Sequence, residues 1–160
     1  MGRSIGAAVA GYVVMVLVVM LGAAVQWFVL GAEGSFQEDS TVASTSWSAI
    51  ACVAGLLAAI AGGFAASKID VSPNRLGVKI LLGLILGLGL VLALAQMAGK
   101  PKPLPKDKKI ADLTFVEAGE YASSPTWYNF AIPIIGAIGV VIGSGFLKSS
   151  GAVAMTQNES

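Results

Sequence analysis

Lys79, Tyr12 and Cys52 are the reactive side chains set deepest in the long apolar stretches of this 160-residue chain. None comes with the neighbours that its chemistry needs. A proton relay or cation-coupled carrier needs an Asp or Glu at membrane depth, and no carboxylate falls within 5–30, 47–67, 76–97 or 127–147. Lys79 stands one turn inside its stretch, close enough to the end for its ammonium to snorkel to the surface. Cys52 has no charge beside it in sequence to stabilise a thiolate, and it reads as a small packing residue. The chain has no histidine and one cysteine. Metal sites, bis-histidine haem, Cys–His nucleophiles, disulfides and zinc modules are therefore excluded as expectations, and the sequence implies no enzyme, cofactor or metal.

The uncharged polar groups in the same stretches are Tyr12, Gln26, Ser48, Gln96, Asn129 and Ser144. Four of them, Gln26, Ser48, Gln96 and Asn129, fall near the same end. They are expected either to hydrogen-bond across the top of a helix bundle or to line a shallow vestibule, and the first is the commoner role for near-interface amides.

These groups must be positioned by membrane helices. Hydrophobic residues make up 56% of the chain and charged ones 12%, against about 45–50% and about 25% in soluble domains. The formal charge of +1 provides no field to gather nucleic acid. A hydrocarbon core of about 30 Å takes about 20 apolar residues in a helix, and four stretches meet that length: 5–30, 47–67, 76–97 and 127–147. The expectation is an all-α, four-transmembrane-helix bundle filling the chain as one membrane domain, with a long outer loop at 98–126 and a polar tail at 148–160. The first stretch follows Arg3 and contains Gly22-Ala23-Ala24, as a signal peptide might, but it runs uncharged to Leu30. That is well past the 7–15 residues of a signal core, so a retained span is expected. The turn 68–75, built around Ser72-Pro73-Asn74, is short enough to make the second and third helices antiparallel neighbours.

Lipid tails are as apolar as Leu, so helices in a bilayer associate where small residues let backbones approach. Ala51, Gly55, Ala59 and Gly63 form one such stripe on the second helix, and Ala54, Ala58, Gly62 and Ala66 form another beside it. Gly83 and Gly87 mark the third helix, Gly139 and Gly143 the fourth, and Ala7 and Gly11 the first. The stripes either close the chain's own bundle or, since the second helix has two, leave area for another membrane subunit or a second copy.

Trp27, Trp47 and Trp127, joined by Phe28 and Tyr128, fall at the ends opposite the termini, where amphipathic rings anchor at headgroup level. An offset of 80 aligns Trp47 with Trp127, Ala51 with Ala131, Gly63 with Gly143 and Lys68 with Lys148. The match points to two parallel helical-hairpin repeats about an axis along the membrane normal. It also arises in any two helices with Trp at one end and Lys at the other. Lys and Arg divide evenly between the two sides, five against five. The dominance of the first helix, with Arg3 before it and acidic residues after it, places both termini in the cytoplasm.

The long loop begins Lys100-Pro101-Lys102-Pro103-Leu104-Pro105-Lys106, an extended polyproline-like arm, and continues through Lys108 and Lys109. Ile110, Leu113, Phe115 and Val116 then need cover, which predicts a short amphipathic segment across the outer surface, with docking of a partner as the rival reading.

Arg3, the Ala10-Gly11-Tyr12-Val13-Val14-Met15 opening, and Ala54-Gly55-Leu56-Leu57 through Ala65-Ala66-Ser67-Lys68-Ile69 resemble a broad group of small four-helix bacterial inner-membrane proteins of unknown function. The resemblance covers roughly the first 70 residues. It implies a bacterial inner membrane and transfers no catalytic residue, and the lysine-proline loop departs from the compact members. Together these features predict a non-enzymatic accessory or structural subunit of a larger inner-membrane assembly or homo-oligomer. A small oligomeric transporter or channel is the alternative, and it needs Gln26, Gln96, Asn129 or Ser144 on a water-filled path.

Overall fold

A computed structural model describes residues 2–38, 40–99, 103–105 and 108–145. Within them the chain is all-helical, and four helices are long and apolar enough to cross a membrane: α1 (Gly2–Ser35), α2 (Thr45–Ile69), α3 (Leu76–Ala98) and α5 (Thr126–Ser144). The short α4 (Phe115–Tyr121) follows a single 3₁₀ turn at Ile110–Asp112. The protein is a multi-pass membrane protein.

Local chemistry sets the boundaries. The α2 helix starts where the Ser44 hydroxyl accepts from the Trp47 N–H at 3.1 Å, filling one of the donors that every helix start leaves open. At the far end of α5, Gly145 takes the left-handed conformation at φ 62°, and its N–H closes back on Ile142 and Val141. The 34 residues of α1 exceed the bilayer, and a kink at Gly31 (φ 66°) redirects its last turn. The straight part therefore ends where the uncharged stretch does.

The four long helices form a ring in the order α1, α2, α5, α3, with α3 closing back onto α1. The expected neighbours α2 and α3 sit across the ring and touch lightly, while α1 and α5 do not meet. The turn between α2 and α3 is as tight as expected, but both flanks of α2 are claimed by closer partners. A Cβ on Gly62 would lie 2.6 Å from the Gly11 carbonyl oxygen of α1, and one on Gly63 would lie 2.5 Å from the Val140 carbonyl oxygen of α5. Backbones that near leave no room for α3 on α2. Instead α3 packs on α5 through Gly89 against Pro133 and Ile85 against Gly136, and on α1 through Gly77 against Ser4 and Ala7. Ala8, Ala59, Ala66, Val78, Leu81, Ile85 and Val140 fill the centre.

The repeat expected at an offset of 80 is followed residue by residue along one seam. Gly63 meets Val140 and Gly143 meets Ile60, a reciprocal exchange in which each pair is the other displaced by 80. A two-fold axis that exchanges α1 with α3 and α2 with α5 also carries α1–α2 onto α3–α5 and α1–α3 onto itself, so the neighbour pairs of the ring obey it. Only the light α2–α3 contact lacks a counterpart, because α1 and α5 do not meet. The Lys68–Lys148 match and the polar tail lie outside the described residues.

Candidate functional site

Three places on this scaffold could carry function: the glycine seams, a polar clasp at the end that holds the N-terminus, and a small cap at the other end. The seams absorb most of the small residues. Gly63, Gly139 and Gly143 have α5 or α2 backbone within 3 Å of where a Cβ would stand, Gly139 would also meet the Ala59 Cβ at 2.5 Å, and Gly55 meets the Ile132 side chain at 3.6 Å. Ala51 is half-buried at the N-terminal end of the same stripe. The second stripe faces α1: Gly62 and Ala66 lie against Gly11, and Ala54 lies against Gly22 at 3.4 Å. Both stripes of α2 thus lie against the chain's own helices, while Ile50, Val53, Leu57 and Phe64 of α2 remain exposed. Gly83 and Gly87 differ, because a Cβ at either meets nothing within 4 Å.

At the end that holds the N-terminus, Asp70 follows the last residue of α2 and its buried carboxylate serves the start of α3. It accepts from the Gly77 N–H at 2.6 Å, the Ser72 N–H at 3.1 Å, the Ser72 hydroxyl at 2.7 Å and the Ser4 hydroxyl of α1 at 3.4 Å. Burial pushes its pKa up, but the Ser72 side chain and the N–H groups of Ser72, Gly77 and Val78 outweigh that and hold it below the ordinary 3.8. Arg75 adopts the left-handed conformation at φ 49° and sends its guanidinium to the Ser144 carbonyl at the end of α5. A carboxylate thus sits at a helix start and a cation at a helix end, each where the helix dipole favours it. An Asp just past an apolar stretch and followed by Ser-Pro-Asn is a cap signal legible in the sequence. Its reach to α1 is a tertiary fact.

At the opposite end the redirected tail of α1, the loop before α2 and α4 form the cap. Phe36 and Ala43 make an antiparallel bridge, Val42 bridges to Ser123, and the Ala43 N–H donates to the Ser123 carbonyl at 2.8 Å. Thr114 and Glu117 form a capping box at the start of α4. The Lys108 ammonium pairs with Glu117 and, with Thr114 bonds adding to it, holds that carboxyl down to about 2. Phe36, Leu113 and Ala118 are buried together. Trp27 stands edge-on to three rings, with centroids 6.5 Å from Phe36, 6.4 Å from Trp47 and 5.9 Å from Phe115. Trp27 and Trp47 therefore lie at the predicted level but turn into the cap, whereas Trp127, against Tyr128 at 5.9 Å, remains 51% exposed. Phe115 and Lys108 are engaged inside the cap, Lys109 is exposed beside the 3₁₀ turn, and Lys100, Lys102 and Lys106 lie outside the described residues.

The polar set does not converge on one path. The Gln26 amide donates to the Trp47 carbonyl at 2.7 Å, joining α1 to α2. The Ser144 hydroxyl returns to Val141 at the opposite membrane end, and Tyr12 packs against the core. Gln96 is exposed in a cleft shared with Thr126, Asn129 is half-buried, Cys52 is half-buried and Lys79 is exposed. Ser48 is 1% exposed, and its hydroxyl has no hydrogen-bond partner among the described residues. No known protein family, curated protein or solved structure matches the chain.

Proposed function

We propose that this chain is a non-enzymatic structural or accessory subunit that docks other membrane subunits, or a second copy, through α3. The observation that carries the reading is the contrast between glycines: those of α2 and α5 are covered by the chain's own neighbouring helices, while Gly83 and Gly87 face outward with nothing within 4 Å. Around and beyond them Leu86, Leu88, Leu90, Val91, Leu92 and Leu94 are exposed, so a neighbouring helix could approach the backbone closely there. The centre of the ring is filled by Ala59, Leu81 and Val140 at 0% exposure, which favours this reading over transport through the bundle. The proposed setting is a bacterial inner membrane with both termini in the cytoplasm. It is supported by Arg3, Lys68 and Lys79, all exposed at the end that holds the N-terminus.

Extraction in mild detergent tests this. A stoichiometric partner, or a dimer, should accompany the parent chain and be released by Gly83→Leu or Gly87→Leu, with the chain's own helicity unchanged. Recovery of monomers alone from the parent protein overturns it.

A further inference from the structure

We propose that the cavity beneath α4 binds one lipid acyl chain at the outer surface of the bilayer. The cavity measures about 330 Å³ and lies between α4 and the outer ends of α1 and α2, at the lower end of the about 300–1,000 Å³ typical of small-molecule sites. Its walls include Trp27, Phe36, Trp47, Phe115 and Val116. The one hydroxyl among its lining residues, that of Ser35, is spent on the Gly31 carbonyl at 2.6 Å. Such walls select by shape and apolarity and offer a sugar or a headgroup little to bond.

Two further observations point to an occupant from the bilayer. Gly119 lines the cavity from within α4, and a Cβ there would meet nothing within 4 Å. A helical glycine costs about 0.5–1 kcal/mol against alanine, and no neighbour in the chain requires its missing side chain. Large apolar side chains beside the cavity are also exposed. Phe28, next to Trp27 in sequence, is 87% exposed, and Val116, which lines the cavity from α4, is 73% exposed. Exposed apolar groups at the level of an aromatic belt contact hydrocarbon at the lowest cost in free energy. A chain bending up from the outer leaflet would bury Val116 and Phe115 together. This site is separate from the partner face on α3.

The test uses the full chain carrying Trp127→Phe in detergent micelles, with parinaric acid, a fluorescent polyene fatty acid, as the probe. Energy transfer from Trp27 and Trp47 should saturate at one probe per chain and be displaced by oleic acid but not by hexanoic acid. Gly119→Phe and Ala122→Leu, which fill the cavity from two positions, should each weaken binding at least tenfold, while Gly83→Phe on α3 leaves it unchanged. Transfer that rises without saturating in the Trp127→Phe chain overturns the proposal. So does saturation that survives both filling substitutions.

Discussion

Replacing Gly63 by alanine places one methyl group where the ring has no slack. The new Cβ would stand 2.5 Å from the Val140 carbonyl oxygen and 2.8 Å from its Cα. Ordinary contact begins near 3.4 Å, so α5 has to retreat by about 0.9 Å. The obstructing atoms are backbone, and Val140 is itself 0% exposed, so no rotamer change absorbs the clash. Overpacking a tight site costs about 1–3 kcal/mol. A radial gap of about 0.5–1 Å also forfeits a quarter to a half of the dispersion at each contact along the seam, which puts Gly63→Ala at the upper end, about 3 kcal/mol. Gly83→Ala introduces the same methyl group into open space and should be neutral or stabilise slightly. Equilibrium unfolding by SDS in mixed micelles, followed by far-ultraviolet circular dichroism, measures the difference directly. The two variants should differ by about 3 kcal/mol, or about a hundredfold in the folding equilibrium. Equal stabilities would refute the claim that backbone contact between α2 and α5 holds the ring.

The clasp around Asp70 predicts an acid limit. The folded-state pKa of Asp70 lies below its ordinary 3.8, so its contribution is complete above that pH and is lost as pH falls through the folded value; unfolding titrations should show stability dropping below about pH 4 in the parent and a shallower fall in Asp70→Asn. In the cap, Glu117 is held down to about 2, so the order of α4 should persist at pH 4 and fade toward pH 2, seen as a change in tryptophan emission as Phe115 leaves Trp27. Gln26→Leu removes the 2.7 Å bond to the Trp47 carbonyl and should cost about 0.5–1.5 kcal/mol in the same SDS assay.

The spans were legible because a run of uncharged residues about 20 long has few alternatives to a helix in lipid. Even the C-terminal end of the first span, at Leu30, coincides with the Gly31 kink. The two stripes on α2 were legible as well, since spacing by four on a helix defines a face. Which helix meets each stripe was not. Hydropathy cannot separate inside from outside when the solvent is as apolar as the core, so the stripes alone did not show that those of α2 are covered by α1 and α5 while Gly83 and Gly87 of α3 are open. Trp27 and Trp47 illustrate the same limit at the boundary. Composition fixes the depth of an indole ring, but only the fold of residues 108–123 over the bundle end turns these two inward. Asp70 could have been read as a cap for α3, while its bond to Ser4, 66 residues away, could not.

Four crossings put the exposed turn residue Asn74 and the exposed cap residue Glu38 on opposite sides of the membrane. Asn74→Cys and Glu38→Cys, each made with Cys52→Ala, can be treated in intact cells and in inverted vesicles with a membrane-impermeant maleimide. The cysteine at 38 should label in cells and that at 74 in inverted vesicles, each shielded in the other preparation. Labelling of both positions from one side would contradict the crossings on which the rest depends.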